Sequence, residues 1–295
     1  MPAAARPRRS VLYMPGSNAR ALEKGKSLPA DGLILDLEDA VAPDAKAMAR
    51  GQIAEAVRQG GYGGREILVR VNAPETEWGN DDIIAIATCG ADAILLPKVE
   101  NAATVQRIDE WMRDLGAPDT MALWCMIETP LGVLNVSEIA GATQRLGGFV
   151  MGTSDLAKDL HASHTPMRLP MLTALGLCML AGRAHGLAMI DGVHLDLEDE
   201  AGFADSCRQG LELGFDGRSL IHPKQIARAN EVFAPGAGEI DNARRIIDAH
   251  RAAVAEGKGV VVVDGRLVEN LHVENALRIV ALANAIDELE SQAGG

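Results

Sequence analysis

Aromatic side chains are nearly missing: Phe, Trp and Tyr together make up 3% of the 295 residues. Any core must therefore be aliphatic, drawn from Ala, Leu, Ile, Val and Met. No run approaches the ~18 uncharged apolar residues that a membrane span needs, so no membrane-spanning segment is expected. Cysteine is sparse and unpatterned. Cys89, Cys125, Cys178 and Cys207 form no CxxC, and their spacing suits neither a zinc site nor a small disulfide framework. Buried free thiols in a reducing cytoplasm are expected instead. Cations are also short: 28 Lys and Arg stand against 41 Asp and Glu, a net charge of −13. That balance opposes general nucleic-acid binding. It leaves room for an anionic small substrate, because a few local cations or a metal suffice to hold one. The first nine residues carry three arginines but no apolar run behind them. A disordered arm over residues 1–8 is expected there rather than a signal peptide.

What is present is ordinary for a globular protein: 47% hydrophobic and 23% charged residues. That is enough apolar material to offset chain entropy, and a core of this size needs no staple. Short aliphatic runs recur at 10–14, 32–37, 66–71, 92–96, 121–127, 148–151 and 187–190, with a last one inside 215–221. Each is near-continuously apolar, as a strand buried on both faces should be. Helical spacing fills the intervals 19–26, 45–59, 81–88, 101–115, 132–139, 170–185 and 198–213. Strand–helix alternation means parallel pairing through right-handed crossovers. Eight such units predict a (β/α)8 TIM barrel over residues 9–235. A doubly wound open sheet is the rival, but no GxGxxG or GxxxxGK[ST] follows any strand.

Residues 236–295 fall after the eighth strand. A helix is expected over 240–256, a C-cap at Gly257-Lys-Gly259, a hairpin turning at Asp264-Gly265, and a final helix over 273–288. This tail reads as an appendage to the barrel.

In a barrel of this kind the active site lies where strands end. The strand ends here offer Asp36, Glu38 and Asp39; Arg70 and Asn72; Lys98; Glu128; Ser154 and Asp155; Asp191; and His222 after Arg218. Glu128 and Asp155 end adjacent strands. Two carboxylates completed by waters and a substrate oxygen suit Mg²⁺, although Asp155 would equally cap the helix that follows. Arg70 is the natural partner for a carboxylate or thioester oxygen; the competing role is an ion pair with Glu38 or Asp39. Arg70 is expected to matter for turnover rather than for folding. Lys24 and Arg20 fit a phosphate or a solvated helix face equally well. His161 and His164 fit a solvated loop better than a metal site, and His194, His250 and His272 read as surface residues. Asp191, in a buried strand, is expected to bind backbone or an Arg. No GxSxG is present, and no Ser or Cys has a local partner that would make it a nucleophile.

Taken in order, several stretches resemble the citrate lyase β-subunit-like family of CoA-ester lyases, within the HpcH/HpaI aldolase superfamily. They are Arg9-Ser-Val-Leu-Tyr-Met-Pro-Gly16, Asp36-Leu-Glu-Asp-Ala-Val41, Val69-Arg-Val-Asn72, Leu96-Pro-Lys98, Ile127-Glu-Thr129 and Met151-Gly-Thr-Ser-Asp-Leu156. Gly214-Phe-Asp-Gly217 with Ile221-His-Pro223 and Val263-Asp-Gly-Arg-Leu-Val-Glu-Asn270 complete the set. The likeness is nearest to the (3S)-malyl-CoA thioesterase and β-methylmalyl-CoA lyase group.

The resemblance implies a barrel enzyme, often trimeric, with Mg²⁺ on Glu128 and Asp155 and an acyl-CoA substrate. It implies Arg70 at the substrate, Lys24 near the CoA phosphates, and Asp264 on a lid over residues 236–295 that enters a neighbouring subunit's site. The candidate catalytic set is then Arg70, Asp264, Glu38 and Asp39. The candidate substrate-binding set is Arg70, Glu128, Lys24, Lys98, Ile221 and His222. Positions that depart from the family pattern are Ser154, Arg218, His161 and His194, where Asn, Lys, Gly and Tyr are frequent. The implied chemistry is cleavage of a 3-hydroxyacyl-CoA, such as malyl- or citramalyl-CoA, to acetyl-CoA and glyoxylate or pyruvate. The alternatives are hydrolysis of the malyl-CoA thioester, and a citrate lyase subunit acting on a carrier partner. A cytoplasmic homo-oligomer is expected.

Overall fold

The structure, a computed structural model, describes residues 6–255 and 261–293. Residues Arg8–Phe233 form one compact unit, and the chain from Ala234 onward belongs to a second.

The first unit alternates throughout. Its elements run β1 (Ser10–Pro15), α1 (Ala19–Gly25), β2 (Gly32–Asp36), α2 (Lys46–Gln59), β3 (Glu66–Arg70), α3 (Gly79–Ile86), β4 (Ala93–Leu96) and α4 (Ala102–Asp114). Then come β5 (Ala122–Ile127), α5 (Pro130–Leu134), α6 (Val136–Ala140), β6 (Leu146–Met151), α7 (Thr153–Asp159), α8 (Leu172–Ala184), β7 (Ala188–Asp191), α9 (Glu200–Leu213), β8 (Gly217–Leu220) and α10 (Ile226–Phe233). The strands pair in parallel in chain order, and β8 closes onto β1. This is the predicted (β/α)8 TIM barrel. All eight apolar runs became strands.

The helices begin where side chains satisfy their free N–H groups. Asn18 accepts from the Ala21 N–H, Asn101 from Thr104, Thr129 from Gly132 and Asp199 from Gly202. The single helix expected over 132–139 is instead two short ones, broken at Asn135, whose side-chain amide donates to the Glu100 carbonyl. Two helices, α7 and α10, stand where no periodic signal of their own was present.

Side chains alternate across a strand, and this places the core. Val11, Ile34, Leu68, Ala93, Leu95, Trp124, Met126, Val150, Ala188 and Ile190 fill the barrel interior. A larger aliphatic layer lies between strands and helices, including Leu33, Leu35, Val69, Ile94, Leu123, Phe149 and Met189. The expected arm is corrected at its end. Arg8 is packed against the barrel, paired with Glu66 at 2.5 Å and lying over the Trp124 ring at 5.3 Å. Arg9 is buried against Asp31. An apolar barrel interior needs its open end covered, and the aliphatic stem and planar head of Arg8 do this. Residues 1–5 of that expectation lie outside the described residues.

The second unit holds α11 (Ala237–Ala255), an antiparallel hairpin of β9 (Val261–Val263) and β10 (Arg266–Val268), and α12 (Asn270–Ala293). The two helices pack through Ala243, Ala276 and Ile279, with Ile240, Ile246, Ile247 and Val280 alongside. Asp264 and Gly265 form the two-residue turn with φ of +50° and +76°. Positive φ at both positions is the type I′ geometry that Asp-Gly favours. The C-cap expected at Gly257-Lys-Gly259 lies outside the described residues. No helix among the described residues is long and apolar enough to cross a membrane.

Candidate active site

The same alternation that fills the interior builds the site. Two residues beyond Val11, Ile34, Leu68, Met126 and Val150 come Tyr13, Asp36, Arg70, Glu128 and Gly152, at the C-terminal mouth. They line a cavity of about 340 Å³, together with Asp39, Met126, Thr153, Ser154, Asp155, Val193, Ser219 and Ile221.

Arg70 is the hub. Its Nε and Nη2 meet both oxygens of Asp36, at 2.7 and 2.6 Å. The strand register makes this pair, since Asp36 stands opposite Arg70 across β2 and β3. Nη1 faces Glu38 Oε2 at 2.7 Å and Asp39 Oδ2 at 3.4 Å. Asp36 also accepts the N–H groups of Glu38 and Ala40, so it shapes the loop that carries the other two acids. Lys46 fixes that loop from below, donating to the carbonyls of Leu37 and Glu38 at 2.7 Å each. Glu38 and Asp39 were expected to pair with Arg70, but Asp36, which was not, is the principal partner. Arg70 was expected to matter for turnover far more than for folding. With three acids gathered on a buried guanidinium, that expectation is corrected: Arg70 is part of the structure of the mouth.

Glu128 is buried at the end of β5, and its Oε1 accepts the Lys98 N–H at 2.8 Å. Lys98 holds a left-handed backbone, with φ of +51°. A non-glycine residue pays for that conformation, and here it aims the N–H at Glu128. Lys98 Nζ reaches Glu38 Oε1 at 3.2 Å. Burial first, then Glu38 and Asp155, push the Glu128 carboxyl up to about 8, against the Lys98 N–H and Arg70. Burial also raises the Glu38 carboxyl, against Arg70 and Lys98. Asp155 sits in the first turn of α7, paired with Lys158 at 3.1 Å. It therefore lies within the helix start rather than capping it. Glu128 and Asp155 line one cavity.

Gly152 permits that closeness, because a Cβ built there would overlap Cβ and Oε2 of Glu128. Gly152→Ala is expected to displace the Glu128 carboxylate and to destabilise the fold by about 1–3 kcal/mol through overpacking. Turnover should fall further than stability explains. Comparing kcat with the denaturation midpoint checks this; wild-type kcat in the variant would show that Glu128 needs no fixed seat.

The remaining expected residues divide. Ile221 lines the cavity, whereas Lys24 is exposed on α1 and His222 uses Nδ1 to cap the Lys224 N–H. Neither Lys24 nor His222 lines the cavity. Asp264 is exposed in the second unit and paired with Arg245 at 3.1 Å. His161 and His164 are exposed. His194, expected at the surface, is instead half-buried edge-on to Phe203, and burial with Arg218 lowers its pKa. Arg218 points outward from β8 into the layer under α9, where it meets Asp191 at 3.2 Å. Asp191 also takes both Nη1 contacts of Arg168 at 2.8 Å. Asp191 thus binds arginine, as expected, and ties the strand-7 and strand-8 ends to the loop after α7.

The donor set fits a hard divalent cation. Acids Asp36, Glu38, Asp39, Glu128 and Asp155 outnumber the cations Arg70, Lys98 and Lys158 that pair with them around the mouth. Ser154 Oγ is buried beside them without a hydrogen-bond partner. Two carboxylates with room for other oxygens is the pattern of Mg²⁺ sites. No cluster of three or more metal-ligating side chains occurs among the described residues, so the remaining ligands would be water or substrate.

A closed parallel barrel with buried carboxylates and one arginine at its C-terminal mouth is the architecture of a barrel enzyme. The family model described as HpcH/HpaI aldolase/citrate lyase matches residues 9–223. The chain belongs to that family and is an enzyme of it. It is 51% identical to a (3S)-malyl-CoA thioesterase of Cereibacter sphaeroides over 282 residues, 96% of each chain. It is 38% identical to the citrate lyase subunit beta of Escherichia coli over 94% of each chain. Among solved structures, protein CitE from Mycobacterium tuberculosis, in complex with magnesium, acetoacetate and coenzyme A, matches with a TM-score of 0.74. The identity there is 28%, over 95% of this chain and 99% of that one.

Proposed function

We propose that this protein is a Mg²⁺-dependent lyase that cleaves a 3-hydroxyacyl-CoA, of the malyl- or citramalyl-CoA kind, to acetyl-CoA and a 2-oxo acid. The observation that carries the reading is the convergence of Glu128, Asp155 and Arg70 on one cavity. Glu128 and Asp155 would hold the ion. When bound, Mg²⁺ supplies Lewis-acid polarisation of substrate oxygens. Arg70 offsets charge that develops on the thioester oxygen as the carbon–carbon bond breaks. Glu38 and Asp39 keep Arg70 Nη1 at the mouth, and Lys98 holds Glu128 in place through its N–H. The likeness to a solved complex with magnesium and coenzyme A supports both the ion and the CoA ester.

Hydrolysis of the malyl-CoA thioester at the same site is the second reading, favoured by the 51% identity to a thioesterase. Incubation with a panel of hydroxyacyl-CoA esters, with and without Mg²⁺, tests both. Acetyl-CoA plus a 2-oxo acid marks the lyase, and free hydroxy acid plus CoA marks the hydrolase. Turnover independent of divalent ions would overturn the metal assignment.

The catalytic proton is assigned to Asp264 of a neighbouring subunit in a homo-oligomer, trimeric or a multiple of that. Its support is the exposed, tightly turned Asp-Gly tip on which Asp264 stands. Lid closure of this kind excludes water and completes a catalytic set. Mixing inactive Glu128→Ala with inactive Asp264→Ala is expected to restore partial activity, because some sites then pair an intact barrel with an intact tip. Subunit exchange without recovery would place Asp264 outside the chemistry or within its own chain's site.

A further inference from the structure

Two donors meet on a sulfur at the floor of the cavity. The Tyr13 hydroxyl lies 3.7 Å from Met126 Sδ, and Arg70 Nη1 lies 3.8 Å from the same atom. A thioether is a weak acceptor, and a buried Tyr hydroxyl ordinarily finds a better one. Tyr13 and Met126 both line the cavity, so the space over the sulfur is open to a ligand. The ring is held in place, with Arg70 Cζ 5.0 Å from its centroid, within cation–π range. Burial, with Asp36, Glu128 and Glu38 around it, keeps the proton on the phenol, against Arg70. Tyr13 is therefore a donor and not a base.

We infer that Tyr13 and Arg70 Nη1 form a two-donor site for the thioester oxygen of the substrate. This rests on the CoA-ester reading and adds Tyr13, which that reading does not use. In cleavage, the electron pair of the breaking carbon–carbon bond moves through the α-carbon onto the thioester oxygen. The alcohol of the other fragment gives its proton to a base and leaves as the oxo group, and a proton then adds to the α-carbon to give acetyl-CoA. In hydrolysis, water gives a proton to a base and bonds to the thioester carbon as the carbonyl π pair moves onto the same oxygen; the return of that pair expels CoA thiolate, which takes up the proton. Both reactions load negative charge on one atom, which two convergent donors stabilise. The site thus serves lyase and hydrolase chemistry alike. Arg70 is already engaged by Asp36 and Glu38, so a neutral second donor adds stabilisation without a further buried charge.

Tyr13→Phe is the test, because it removes one oxygen and keeps the ring under Arg70. With the cleaved or hydrolysed ester as substrate, kcat is expected to fall about 10²–10³-fold, as for loss of one oxyanion donor. KM for the ester should rise modestly, and the melting temperature should stay near wild type. In parallel, CoA and acetyl-CoA are titrated with Mg²⁺ present. Wild type should hold acetyl-CoA more tightly than CoA, and the variant, which keeps Arg70, should lose part of that difference while binding CoA unchanged. Wild-type kcat in the variant, or an undiminished preference for acetyl-CoA, would overturn the assignment to Tyr13 alone. Failure of wild type to bind CoA or its ester would sink the CoA-ester reading, and the two-donor site with it.

Discussion

Replacing Glu128 by Gln is expected to abolish most turnover and, in metal-free protein, to raise the melting temperature. Groups that merely support metal ligands cost about 10–100-fold in activity when lost; a ligand itself should cost more. The stability change has the opposite sign. Glu128 is buried among Glu38 and Asp155, and its carboxyl lies well above the ordinary 4.5, at about 8. A carboxyl raised on folding opposes the fold wherever the unfolded chain is ionised. The penalty is absent below 4.5, grows as pH rises toward 8, and is constant beyond. The advantage of Glu128→Gln should therefore open across that window in the presence of a chelator. Adding Mg²⁺ should then stabilise wild type, by preferential binding to the folded state, and leave the variant unmoved. Equal stabilisation of both proteins by Mg²⁺ would show that the ion sits elsewhere.

The barrel was legible because strands buried on both faces are written as unbroken aliphatic runs, such as Leu33 to Leu35 and Ile94 to Leu96. The carboxylates Glu128 and Asp155 were legible because each follows such a run. Asp36 was not. It stands in Asp36-Leu-Glu-Asp39, where three acids look alike in sequence, and only the register opposite Arg70 singles it out. The signal was period-2 alternation: Ile34 faces the interior, so Asp36 does too. By the same rule Arg218 alternates with the inward Ser219 and so faces the helices. Arg8 depends on a contact distant in sequence, with Trp124, and His194 on how its loop folds against Phe203 of α9; no local pattern carries either. The short helix α7 escaped because its first turn is spent on the site, leaving too few apolar positions for a visible period.

Arg70→Ala is expected to cost both activity and stability. The guanidinium is buried, with Asp36 at 2.6 Å and Glu38 at 2.7 Å. Removing one partner of a buried ion pair leaves a charge without compensation and costs about 3–5 kcal/mol. For a chain of this size, such a loss lowers the melting temperature by several degrees. Turnover should fall by about 10²-fold or more, as for loss of a group that meets developing charge. Adding Asp36→Asn separates the two roles. The double variant no longer strands the Asp36 carboxylate, so part of the lost stability should return. Activity should not return, because nothing in the double variant replaces Nη1 at the mouth. Arg70→Lys makes the same point from the other side. It keeps the charge but not the planar fork that meets both oxygens of Asp36, so it should fold better than Arg70→Ala and still turn over slowly. Full stability in Arg70→Ala would show that Asp36 and Glu38 are satisfied without it. Recovered activity in the double variant would show that the arginine acts only by holding its acids in place.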